Sequence, residues 1–242
     1  MAAQKKAQKS TTKRKKRRNR RKRYDMSRLW MALGLLALVL LVIFGVTRHQ
    51  KKVATASSDS FVTLSEIDKN KPDLDVELLT VNPYSRPGTA LEKVNGIVIH
   101  YTANPGATAI ANRNYFENLK DTHTTKASSH FVVGLEGEIV QCIPTAEIAY
   151  ASNDRNSDTI SIECCYKNED GSFEQATYDS VIKLTAWLCA KFGLTSENVI
   201  RHYDVTGKLC PLYYVEHEDA WTQLKKDVDS YLRVYETGDE KR

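Results

Sequence analysis

Four things are missing or scarce in this 242-residue chain. There is no internal repeat, so its length describes one sizeable domain plus appendages rather than an array. The five cysteines are an odd set, which argues against a fully paired disulfide framework. Cysteine and histidine nowhere recur at the short spacings of structural zinc fingers. Acids are nearly absent from residues 1–28, which hold 14 Lys/Arg and a single acid, Asp25. Such a segment can bury no core.

The net charge of +5 therefore describes neither part of the chain. Of the 35 bases and 30 acids, residues 29–242 keep 21 and 29, a net of −8. A basic arm precedes a mildly acidic body. Leu29 to Val46 then runs 18 residues without a charge. As a helix it spans about 27 Å, near the thickness of a bilayer core. The excess of bases before the run predicts a cytoplasmic N-terminus and an external body. Trp30 stands where an interfacial anchor belongs. The expected localisation is the plasma membrane, as a single-pass protein. The arm then serves orientation and contact with anionic lipid rather than nucleic-acid binding. Ala54-Thr55-Ala56 has the form of a cleavage site, but Lys51 and Lys52 separate it from the apolar run, which favours an uncleaved anchor.

Residues 47–75 read as a polar linker, 76–235 as the globular domain and 236–242 as a tail. A first strand is expected at Glu77–Val81. Gly96–Tyr101 and Asp158–Tyr166 are apolar, β-branched strands. His130–Val133 and Glu138–Ile143 read as a hairpin. Thr108 caps a helix reaching about Lys120, with Ile110, Ala111, Tyr115 and Leu119 on one face. Thr177–Phe192 is the clearest helix, ending at Gly193. Asn198–Arg201 is a short strand delivering His202. A last helix runs from about His217 to Val234, with Trp221, Leu224, Val228 and Tyr231 inward. The fold class expected is α/β, a central mixed β-sheet flanked by helices and preceded by one transmembrane helix.

The chemistry concentrates in Arg201–Pro211, where His202, Lys208 and Cys210 fall within ten residues. Histidine and thiolate both ligate zinc, and His100, at the end of a buried strand, is the third candidate. Three ligands drawn from distant elements leave a fourth position open, the pattern of a catalytic rather than a structural site. Along Ile160–Cys165 the side chains alternate. Ile160, Ile162 and Cys164 form a core face, which puts Ser161, Glu163 and Cys165 on the other. A carboxylate there is paired, hydrated in a cleft or shifted in pKa. A salt bridge is the bland reading and a general base the functional one. Lys208, two residues from Cys210, is placed to stabilise an oxyanion. His130 opens a strand and is a candidate lining residue of the same cleft. If Cys210 binds metal, Cys142, Cys164, Cys165 and Cys189 remain, as buried thiols or in one of three full pairings.

Gly96-Ile-Val-Ile-His100-Tyr-Thr, Ser129-His130-Phe, Ile160-Ser-Ile-Glu163 and Arg201-His202-x5-Lys208-x-Cys210-Pro211 together resemble the zinc N-acetylmuramoyl-L-alanine amidases. Those amidases are related to phage T7 lysozyme and the peptidoglycan recognition proteins. The resemblance covers roughly residues 76–232. It implies His100, His202 and Cys210 as zinc ligands, Glu163 as general base and Lys208 as transition-state partner. It implies a peptidoglycan substrate, cut between N-acetylmuramic acid and L-alanine. Ser129 and Tyr150-Ala151 depart from the tyrosine and Trp-His of some members, which shifts proton transfer onto Glu163. His130, Asn156, Tyr213 and Tyr214 are candidate substrate contacts, as are Asn112, Arg113, Asn153 and Arg155. The alternative is a membrane-anchored peptidoglycan-binding module without catalysis. Non-catalytic relatives typically lose the cysteine, and Cys210 is present.

Overall fold

Three neighbouring parallel strands position the site: β2 (Gly96–Tyr101), β5 (Thr159–Cys164) and β6 (Val199–Arg201). The computed structural model describes residues 63–237. The strands read GIVIHY, TISIEC and VIR, and all but three of these residues are buried. Near-continuous apolar runs of this kind suit parallel strands covered on both faces.

With β1 (Asp75–Val76), β3 (Phe131–Val133) and β4 (Ile139–Gln141) they form a six-stranded sheet of order β1-β4-β3-β5-β2-β6. Only β3 and β4, the expected hairpin, pair antiparallel. The sheet is therefore mixed. The register matters more than the order. His100 on β2 lies directly beside Glu163 on β5, and Glu163 beside Val132 on β3. Ile99 pairs with Arg201, so the next residue of each chain, His100 and His202, leaves the same edge of the sheet.

The helices are α1 (Leu64–Ile67), α2 (Ala109–Thr122), α3 (Gln175–Phe192), α4 (His202–Thr206), α5 (Leu212–Glu216) and α6 (Glu218–Thr237). Thr108 caps α2 by accepting the Ala111 N–H at 3.3 Å. At the end of α3, Gly193 adopts φ +65°, the left-handed turn that favours glycine. Ile97, Ile99, Ile160, Ile162 and Cys164 fill the main core, with Val181, Leu184 and Leu188 of α3 and Leu224 and Val228 of α6. The opposite face carries a smaller cluster, in which Val132, Val140, Cys142 and Cys165 meet Ala109 and Phe116 of α2.

Several expectations need correction. The segment 77–81 is not a strand; the two-residue β1 precedes it, and only its Glu77 and Leu79 N–H groups bond toward β4 and the residue after it. The inward face of α2 is Ala109, Asn112, Phe116 and Leu119, whereas Ile110 and Tyr115 are about half exposed, at 42% and 52%. The final helix stands where expected, as α6, and a short helix not expected, α5, precedes it. The single-pass membrane localisation is also corrected. Among the described residues no helix is long and apolar enough to cross a membrane. The longest, α6, carries Glu218, Asp219, Lys225, Lys226, Asp227, Asp229 and Arg233. The arm 1–28, the run 29–46, the linker up to residue 62 and the tail 238–242 lie outside the described residues.

Candidate active site

The sheet delivers His100 and Glu163 side by side from the carboxyl ends of β2 and β5. His202 opens α4 directly after β6. The chain then has to turn back to bring Cys210 to the same point. α4 ends at Gly207, with φ +78°, and the Cys210 carbonyl accepts the Tyr203 N–H at 3.0 Å. Open ends of neighbouring parallel strands are where α/β sheets commonly hold ligands.

One ligand atom each from His100, His202 and Cys210 lies within 4.8 Å of the other two, and all three residues are buried. The Cys210 Sγ is 3.8 Å from His100 Nδ1. Tetrahedral zinc with bonds of about 2.3 Å to sulfur and 2.0–2.1 Å to nitrogen places such atoms about 3.5 Å apart. A second observation supports the fit: the His202 Nδ1 is buried with no hydrogen-bond partner, a costly arrangement for a ring nitrogen unless something binds it. Two imidazoles and a thiol thus suit zinc in both chemistry and spacing.

Burial holds His100 well below the ordinary histidine range, and the charges of His202 and Lys208 push the same way. It lowers His202 as well, again with Lys208. Both rings are therefore neutral and competent to ligate. The Cys210 thiol is pushed up to about 12 by burial and by Glu163, while the Tyr101 backbone and Lys208 pull it down. Metal binding at this cluster must displace that proton.

Glu163 lies 4.0 Å from His100 Nδ1. This close approach is not an ion pair, because burial drives both groups toward their neutral forms. Desolvation raises the Glu163 carboxyl to about 8, and Lys208 is the charge that draws it back. Its Oε2 is buried without a partner. Lys208 itself is exposed, with its backbone N–H on Thr206 Oγ1.

The remaining candidates divide. His130 is buried and fully engaged: its Nε2 is 2.8 Å from the Glu147 carbonyl and its Nδ1 accepts the Ser161 N–H at 3.0 Å. Burial lowers it to about 4. Tyr214 is 4% exposed and packs against Phe173 and Trp221. Tyr213 is half-buried and stacks on His217 at 4.3 Å. Asn156 turns inward on its own loop, its Oδ1 accepting the N–H groups of Ala151 and Ser152. Asn112, buried, points its amide at Cys165 Sγ; Arg113 donates to the Glu77 and Leu78 carbonyls, and Arg155 pairs with Asp158. All five cysteines are free and buried.

Two site residues carry no strong sequence signal. Ser152 Oγ lies 3.3 Å from His100 Nε2, and Asn153 Oδ1 lies 3.0 Å from His202 Nε2. Both sit in a polar loop without periodicity, where only tertiary placement gives them a role.

Residues 90–212 match the family model described as N-acetylmuramoyl-L-alanine amidase. The chain belongs to that family. Every ligand candidate, Glu163 and Lys208 fall inside the match. CwlL of Bacillus licheniformis, an N-acetylmuramoyl-L-alanine amidase, is 39% identical over 165 residues, 63% of this chain and 45% of its own. The chain thus spans about half the length of the relatives it matches. A mutant endolysin from Bacillus subtilis superposes with a TM-score of 0.54 at 31% identity, covering 64% of this chain and 98% of that one. The catalytic domain of XlyA gives 0.54 at 30%, covering 64% and 99%.

Proposed function

We propose that this amidase-family chain is a zinc-dependent hydrolase of the amide between the lactyl group of N-acetylmuramic acid and the L-alanine of the peptidoglycan stem peptide. The observation that carries the reading is Glu163. It is a carboxyl poised near neutrality, in register with His100, at the mouth of a three-ligand cluster.

His100, His202 and Cys210 hold the metal. Zinc, when bound, supplies a Lewis acid for the scissile carbonyl and lowers the pKa of water. The protein's own groups do the rest. Glu163 takes a proton from the attacking water and returns it to the departing alanine nitrogen. A carboxyl with a pKa near the working pH exchanges protons in both directions. Lys208 is exposed beside the ligands, and its charge is felt at all three and at Glu163. A fixed cation there favours a negatively charged carbonyl oxygen over a neutral one. The intact ligand set, Cys210 included, supports hydrolysis over binding alone.

The test is the product. Peptidoglycan digested by the zinc-loaded protein is expected to release stem peptides with a free N-terminal alanine, read by mass spectrometry. Products cut within the glycan strand, or between stem amino acids, refute the assignment.

A further inference from the structure

The two histidines of the cluster are each touched at Nε2, and by adjacent residues. Ser152 Oγ stands 3.3 Å from His100 Nε2, and Asn153 Oδ1 stands 3.0 Å from His202 Nε2. The Nδ1 atoms differ. His100 Nδ1 faces Cys210 Sγ at 3.8 Å, while His202 Nδ1 is buried and partnerless. A neutral imidazole carries one proton, and the partner of one nitrogen decides which nitrogen is left free.

We propose that loop 151–156 is a positioning device for both ligands. Ser152 and Asn153 each accept an Nε2–H, and this fixes both rings in the tautomer and orientation that present Nδ1 to a metal beside Cys210. The inference rests on the zinc-site reading above.

The loop is built for such a task. Asn156 Oδ1 accepts the N–H of Ala151 at 3.0 Å and of Ser152 at 2.6 Å, clamping the turn from inside. The Arg155 carbonyl accepts the Thr159 hydroxyl at 2.6 Å, which ties the loop to the first residue of β5. Ser152 is 1% exposed, so its hydroxyl is shielded from bulk water. Asn153 adopts φ +52°, in the left-handed region that asparagine tolerates better than most residues. That backbone lets two consecutive side chains reach two different histidines. Partners of this sort fix the orientation and raise the basicity of metal-bound histidine.

Three measurements on the full chain test the device, and none uses cleavage. Long-range proton–nitrogen NMR of the metal-free protein is expected to show the Nε2–H tautomer for His100 and His202; an Nδ1–H tautomer at either overturns the proposal. Competition against a chromophoric chelator reads zinc affinity. Asn153→Gly keeps the left-handed backbone and removes the acceptor. It and Ser152→Ala are each expected to weaken zinc roughly 10- to 100-fold, and unchanged affinity in both overturns the proposal. Asn153→Asp, which keeps the acceptor, is expected to bind within a few-fold of wild type; a loss as large as that of Asn153→Gly also overturns it. The NMR result stands on wild type alone, so a misfolded variant does not shield the idea. A wild type that binds zinc yet releases no stem peptide sinks the proposed function and leaves this inference standing. A wild type that binds no zinc sinks both.

Discussion

The six residues of β5 divide between two faces with opposite purposes. On one, Ile160, Ile162 and Cys164 disappear into the core under α3. On the other, Ser161 holds His130 in place and Glu163 waits, its Oε2 without a partner, beside His100. The first face releases apolar surface from water, on the order of 1.5–3 kcal/mol for each large side chain. The second bears the cost of burying carboxyl, imidazole and thiol. Stability and chemistry are thus separated by the strand's period of two, with Glu163 and its neighbour His100 on the face that does not build the main core.

Glu163→Gln should break the chemical face alone. Losing the proton carrier is expected to lower kcat by roughly 10²- to 10⁴-fold, in an assay of stem-peptide release with zinc present. Its effect on folding has the opposite sign. The folded carboxyl titrates near 8, above its ordinary 4.5. It therefore destabilises the metal-free fold progressively as pH rises from 4.5 toward 8. The glutamine variant should be at least as stable as wild type at pH 8 in thermal unfolding; a large loss of stability there would mean that the two faces are not separable.

The converse substitution is Leu188→Ala. Leu188 is fully buried in the main core on α3, away from the ligands. A cost of about 3–5 kcal/mol is expected from the lost transfer energy and the cavity, measured by urea unfolding. The activity per folded molecule should hold.

The smallest effect sharpens the comparison within the polar face, between a histidine of the candidate cluster and one that packs. Burial lowers His130 to about 4 from 6.5. A depressed pKa means stability that is complete above 6.5 and is lost as pH falls toward 4. The linkage amounts to about 3 kcal/mol over that window. In His130→Gln the level of stability falls, but the slope between pH 6.5 and 4 should flatten relative to wild type; parallel slopes reject the assignment.

What could be read from the chain follows from the same alternation. The faces of β5, the hairpin, the cap at Thr108 and the end of α3 at Gly193 are local signals, and each stands where expected. The phase of α2 was harder to read, because buried Asn112 makes the inward stripe look polar while Ile110 and Tyr115 lie outward. His100, Glu163, His202, Lys208 and Cys210 were legible as residue types suited to one chemistry, and the sheet register brings His100 and Glu163 together. Ser152 and Asn153 were not legible as partners of the histidines. Nothing about a loop serine announces which imidazole it will meet across 52 residues of chain.

The parallel register of β2 and β5 carries one more consequence. Because His100 and Glu163 are neighbours by strand pairing, a slip of one position would turn every alternate side chain to the wrong face. It would pull the carboxyl away from the ligands and push apolar residues out of the core in the same motion. A misregistered molecule would thus lose its stability and its candidate site together. For an engineer the lesson is one of portability: the transferable unit is a set of paired strand ends, and copying the five side chains onto a sheet of another register would copy nothing that works.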